Sequence, residues 1–89
     1  MRTQAVKDYI RERESLFWYS PEDKTETVTD ELLVETILNY GSMNDVRELF
    51  NVFGKKNVAD VFFTVTNRSE RSRNNYFPEI YNLFYYVLK

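Results

Sequence analysis

The chain has 89 residues with 12 basic and 14 acidic side chains, a net charge of −2, no cysteine and no histidine. That excludes disulfides, cysteine metal sites, a thiolate nucleophile and the commonest general base. One domain of this size buries roughly 60–65% of the surface its unfolded chain exposes, enough for a single modest core.

Aromatic residues make up 17% of the chain, and there are only two glycines and two prolines. Rings must therefore dominate the core, and too few turn formers exist for many hairpins. The expected fold class is all-α: one small bundle of about five short helices around an aromatic core.

Residues 3–15 read as a charged helix within a peripheral N-terminal segment (1–15). Val6, Tyr9 and Ile10 give it a short apolar stripe, and Asp8–Arg11 and Arg11–Glu14 are spaced to pair. Leu16-Phe17-Trp18-Tyr19 places four large apolar residues in a row, too many for one narrow helix face, so a buried bend is expected; an exposed stacking platform is the alternative. Ser20-Pro21-Glu22-Asp23 has the form of a helix start, and Lys24 to Thr27 of a loop.

The centre of the chain is 28–65. Thr29 reads as an N-cap with Asp30 and Glu31 in the first turn, and Val28 and Leu33 have the spacing of a hydrophobic staple. Leu33, Val34, Ile37 and Leu38 give an apolar face, and Gly41 is expected to stop the helix in a left-handed conformation. Ser42 and Asp45 then form a near capping box before Val46, Leu49, Phe50 and Phe53, with Gly54 ending that run. A third start is expected at Asn57, with Asp60 behind it and Val58, Val61, Phe62 and Val65 as the stripe.

Residues 66–75 hold no apolar side chain and read as a polar loop or helical turn, the segment most expected to be mobile. Residues 76–89 form the aromatic C-terminal helix, starting around Pro78. Phe77, Tyr81, Phe84 and Leu88 share one face, and Ile80, Leu83 and Val87 the next. Such a helix either sits inside the core or keeps one face for a partner. Tyr76, Tyr81, Tyr85 and Tyr86 are the candidate partner-binding residues.

Charge is unevenly placed: residues 1–45 carry ten acids and five bases, residues 46–89 four acids and seven bases. The two halves read as solvated faces of opposite sign, or as leaving a basic patch near Arg68, Arg71 and Arg73 for an acidic partner or phosphates. Helix–Gly54–helix has the rough outline of a helix-turn-helix with Lys55 and Lys56 before its second helix. Yet Asp60 lies in the first turn of that helix, and its exposed positions Ala59, Asp60 and Thr64 include no arginine or glutamine to read bases. Lys55, Lys56, Arg68, Arg71 and Arg73 are thus the candidate nucleic-acid contacts of a reading that is not favoured, a DNA-binding regulator.

Glu31 and Glu35 are spaced for one helix face, but they flank the polar side of an amphipathic helix and read as hydrated. No phosphate-binding glycine loop, nucleophile elbow or calcium loop is present. The expectation is a non-catalytic chain without cofactor or metal. No apolar run approaches the roughly 20 residues that span a bilayer, and the polar start does not resemble a signal peptide, so a cytoplasmic location is expected.

Leu16-Phe17-Trp18, Ile37-Leu38-Asn39-Tyr40-Gly41-Ser42 and Asp45 to Phe53-Gly54, followed by an aromatic last helix, together resemble a family of small uncharacterised bacterial helical proteins. Its members are often encoded beside nucleotidyltransferase toxins of the abortive-infection type. The resemblance spans about residues 16–88 and implies an accessory, antitoxin-like role, with no binding residue to carry over. The leading expectation is a protein-interaction domain that binds a partner, or itself, through its last helix.

Overall fold

The computed structural model describes residues 3–17 and 28–89. Trp18 and Tyr19 of the aromatic run, the expected helix start at Ser20-Pro21 and the expected loop at 24–27 lie outside the described residues. The fold is an all-α bundle, and no strand occurs among the described residues.

Helix α1 (Gln4–Glu12) starts on Thr3, whose hydroxyl accepts the Val6 amide. It is less peripheral than its charge implies, because Val6, Tyr9 and Ile10 are all buried. The expected Asp8–Arg11 pair forms at 3.2 Å. A 3-10 turn over Glu14–Phe17 then drives Phe17 fully into the core. That agrees with a buried bend for the part of the aromatic run that is described.

Helix α2 (Asp30–Tyr40) is the element the others surround. Thr29 caps it by accepting the Leu32 amide, and Val28 and Leu33, the expected staple pair, are both buried. Leu33, Val34, Thr36, Ile37 and Leu38 are buried too, which is more of the helix circumference than a single stripe covers.

Gly41 corrects an expectation. Its φ of −78° and ψ of 161° are extended, not left-handed. Glycine is needed there for room: a Cβ would sit 2.7 Å from the Ile37 carbonyl oxygen and 3.0 Å from the Asp45 Cβ. The chain turns so tightly out of α2 that only a bare Cα fits against the next helix start. That start is the expected capping box: the Ser42 hydroxyl accepts the Asp45 amide, and the Asp45 carboxylate accepts the Ser42 amide.

Helix α3 (Met43–Leu49) runs into a π-helical turn, Phe50–Gly54, and then into helix α4 (Lys55–Arg68). The third helix therefore begins three residues earlier than expected, with Gly54 and not Asn57 in the cap position. The Asn57 side-chain amide instead donates back to the Phe53 carbonyl at 2.8 Å. Gly54 takes φ 92°, the one position where the backbone here uses glycine's conformational freedom. Val58, Phe62, Val65 and Thr66 of α4 are buried, with Val61 half-buried.

Of the two readings of residues 66–75, a polar loop or a helical turn, the structure has the helical one over most of the segment. Helix α4 extends to Arg68, Ser69 caps the short helix α5 (Glu70–Arg73), and helix α6 (Pro78–Leu88) follows with proline in its first turn. Asn39 fixes the start of α6. Its side-chain amide donates to the Asn75 carbonyl at 3.1 Å, and its oxygen accepts the Phe77 amide at 3.2 Å. The Phe77 ring then meets Tyr40 edge-on at 5.4 Å.

Asp45 does more than close a capping box. It accepts the Arg13 Nε at 2.8 Å, while the Arg13 guanidinium lies 3.9 Å above the Tyr9 ring. The Tyr9 hydroxyl donates to the Asp45 backbone carbonyl at 2.5 Å. Helix α1 is thereby tied to the start of α3 by one polar knot. The Ser42 amide, then the Arg13 guanidinium, hold the Asp45 carboxyl below the usual aspartate range against the partial burial that opposes them.

Two outcomes follow for stability. Gly41→Ala should lower the urea midpoint by the equivalent of about 1–3 kcal/mol, the usual cost of forcing a methyl into a packed site. For Asp45, the folded form holds a depressed carboxyl, so its stabilisation is present above the unfolded value of about 3.9 and is lost as pH falls through the folded value. Urea midpoints measured from about pH 6 down to about pH 2 should fall less steeply for Asp45→Asn than for the parent.

Candidate functional site

Helix α6 divides its surface between core and solvent. Phe84 and Leu88 are buried, while Tyr81, Tyr85 and Ile80 are half-buried. The outward side carries Leu83 at 48%, Val87 at 41% and Tyr86 at 77% exposure. From Ile80 to Leu88 there is no charged residue, so the exposed side is uncharged, with Leu83, Tyr86 and Val87 beside the polar Asn82.

The four candidate tyrosines do not act together. Tyr76 is 2% exposed, and its ring meets Phe62 edge-on at 5.0 Å, so it belongs to the core and is withdrawn as a partner contact. The run of rings around it hid this, because a tyrosine just before a helix cap carries no periodicity to show which way it points. Tyr81 stacks on Phe62 at 5.8 Å, and Tyr85 packs edge-on against Phe63 at 5.8 Å. Tyr85 also supports Tyr86 at 5.7 Å, and the Lys89 ammonium lies 5.4 Å from the Tyr85 ring centre. Tyr86 is the one of the four that stands mainly in solvent.

Leu83 and Val87 belong to this surface but were not among the candidates. Their signal was present as the second stripe, Ile80, Leu83, Val87. A stripe shows which residues share a side and leaves open which side faces the core. Tyr40 and Phe77 form a separate exposed ring pair at the C-terminal end of α2, and Met43 is exposed at the start of α3. These residues come from three segments that periodicity within one helix cannot relate.

The basic candidates are not gathered into one patch. Lys55 and Lys56 are exposed at the start of α4 and Arg68 at its end, about 20 Å away along the axis. Arg68 is taken up by Glu31 at 2.9 Å, an exposed pair that joins the basic half of the chain to the acidic half. Arg73 lies 6.0 Å from the Tyr81 ring centre, and Arg71 is exposed. Along the outer side of α4, Asp60, Val61, Thr64 and Val65 border a shallow cleft whose far wall is Asp30 and Glu31. Asp30 and Asp60, with the Arg68-paired Glu31 between α2 and α4, put acidic groups where a recognition helix would meet phosphate.

Glu31 and Glu35 line a second cleft of about 270 Å³ with Arg68, Ser72 and Asn75. Burial raises the Glu35 carboxyl above the usual glutamate value. Among the described residues, no group of three carboxylates or other donors is placed to hold a metal ion. Behind this cleft the Tyr76 hydroxyl is buried without a hydrogen-bond partner. Burial, then the field of Glu35 and Glu31, raises that phenol far above its ordinary value.

No helix among the described residues is long and apolar enough to cross a membrane. Comparison of the chain with protein-family models, with curated proteins and with solved structures gave no match.

An orphaned buried hydroxyl costs about 1–3 kcal/mol in lost hydration. Tyr76→Phe, which keeps the ring contacts and removes that atom, should leave the urea midpoint unchanged or raise it. A fall of more than about 1 kcal/mol would show that the hydroxyl is satisfied by bound water.

Proposed function

We propose that this chain is a non-catalytic protein-interaction domain that offers the outward side of α6 to a protein partner. The observation that carries the reading is the exposure of Leu83, Tyr86 and Val87 together on a helix whose opposite side is core. Scattered apolar residues on a surface are ordinary; contiguous ones, centred on an aromatic ring and free of charge, are what docking surfaces present. Tyrosine is well suited to such a role, because it contributes a large contact area with little rotamer entropy to lose.

Two further features support an interaction role over chemistry. The chain lacks histidine and cysteine. The half-buried Glu35 has burial, not a positioned acid or base, as the cause of its shift. A bacterial, cytoplasmic, antitoxin-like accessory protein, as the family resemblance implies, is a setting in which a small domain acts by occupying a partner's surface.

The test is a photo-crosslinking phenylalanine placed at position 86 in the cells that make the protein. A discrete covalent adduct is expected from position 86, and none from the same group at Glu12 on the exposed side of α1. Equal labelling from both positions, or none from position 86, would overturn the assignment of the surface.

A further inference from the structure

The end of α5 and the first turns of α6 border a cleft of about 220 Å³. Tyr81 forms part of its wall, and the Tyr81 ring is backed by the buried ring of Phe62. Asn74 and Asn82 line the same cleft, and the Arg73 guanidinium lies over the Tyr81 ring, 6.0 Å from its centre. Among the described residues, the side chains of Arg73, Asn74 and Asn82 make no hydrogen bond or ion pair.

The same chain contains a closed pair for comparison. Arg13 lies 3.9 Å above the Tyr9 ring, and Asp45 holds its Nε in place. Arg73 is exposed and has no such anchor. A flat group held between a ring and a guanidinium needs two contact distances of about 3.5–4.0 Å, roughly 7 Å in all. At 6.0 Å the Arg73 guanidinium stands too far off to rest on Tyr81, and a swing of about 1 Å would admit a ring between them.

We propose that this cleft takes a nucleobase, stacked between the Tyr81 ring and the Arg73 guanidinium, with its edge hydrogen-bonded by Asn74 and Asn82. Aromatic rings and guanidinium planes are the two platforms on which unpaired bases stack. A carboxamide offers a donor and an acceptor side by side, which matches the edge of a base. An apolar ring would leave both carboxamides unmatched, and an anion without a ring would leave Tyr81 unused. The volume exceeds the roughly 150 Å³ that takes up a benzene ring. Arg71, in the last turn of α5 with Arg73, adds positive charge for the phosphate that a nucleotide carries. The inference does not rest on the interaction reading of α6, because Leu83, Tyr86 and Val87 take no part in it.

The base can come from a free nucleotide or from a single strand; in a duplex it is stacked out of reach. Nitrogen-15 NMR of the full chain, titrated with AMP, CMP, GMP and UMP to about 20 mM, covers millimolar complexes. The side-chain amide signals of Asn74 and Asn82 and the Arg73 Nε signal should move together along one saturating curve. Ribose 5-phosphate, which has the phosphate without the base, should leave them in place. Arg73→Ala should weaken the best nucleotide at least about fivefold while circular dichroism keeps its helical signal, and Tyr81→Phe, which keeps the ring, should bind within about twofold of the parent. A single strand of about six nucleotides that binds more than about tenfold tighter, and weakens as salt rises, identifies a strand as the source; affinity equal to the monophosphates identifies the free nucleotide. The proposal is overturned if no nucleotide gives a saturating shift, if ribose 5-phosphate reproduces the shifts, or if Arg73→Ala leaves the affinity unchanged.

Discussion

The contact on which the rest of the bundle depends is the Phe62 ring. It is fully buried, stacked on Tyr81 and met edge-on by Tyr76 and Phe63. Through it α4 holds both the start and the first turns of α6. Edge-on and offset rings gain more than their buried area alone, and in a chain this small few aliphatic side chains are available to replace them. The inward pull on Tyr81 and Phe84 fixes the rotation of α6 about its axis. Leu83 and Tyr86, a quarter to half a turn away, are then obliged to face solvent.

The polar contacts divide the same work differently. Asn39 ties α2 to Asn75 and Phe77 ahead of α6, and Asp45 ties α3 to α1 through Arg13 and the Tyr9 hydroxyl. Each is a single short side chain serving two segments far apart in the chain. Neither drives burial; both choose among packings that the apolar stripes alone would permit. Their hydrogen bonds set where helices begin and meet, and hence where the exposed surface lies.

The exposure of one side of α6 and the separation of Lys55 and Lys56 from Arg68 come from the same helical geometry. A straight α4 carries Lys55 and Arg68 to opposite ends of the molecule's longest helix, and Glu31 takes Arg68 into an ion pair. Asp30, Glu31 and Asp60 then gather along the middle. Lys55 and Lys56 are carried away from Arg68, while apolar residues three and four apart on α6 are brought into line.

Local chemistry alone determined a good part of this protein. Thr29 and Ser42–Asp45 were legible as caps because a cap is satisfied within four residues, and the stripes of 33–38, 46–53 and 58–65 were legible because helical periodicity is local. The conformation of Gly41 was misread: its constraint is the approach of Ile37 and Asp45 across a corner, a distance, where a left-handed stop would have been a dihedral. The role of Asn57 was misread because the π-turn runs straight into a helix that starts at Lys55, and composition does not reveal that continuation. The tertiary structure alone decided that Tyr76 is core and Tyr86 is surface, and that Arg68 meets Glu31. Those outcomes turn on which rings fill the space around Phe62, and that space is built by residues from α4 and α6 with the polar turn between them.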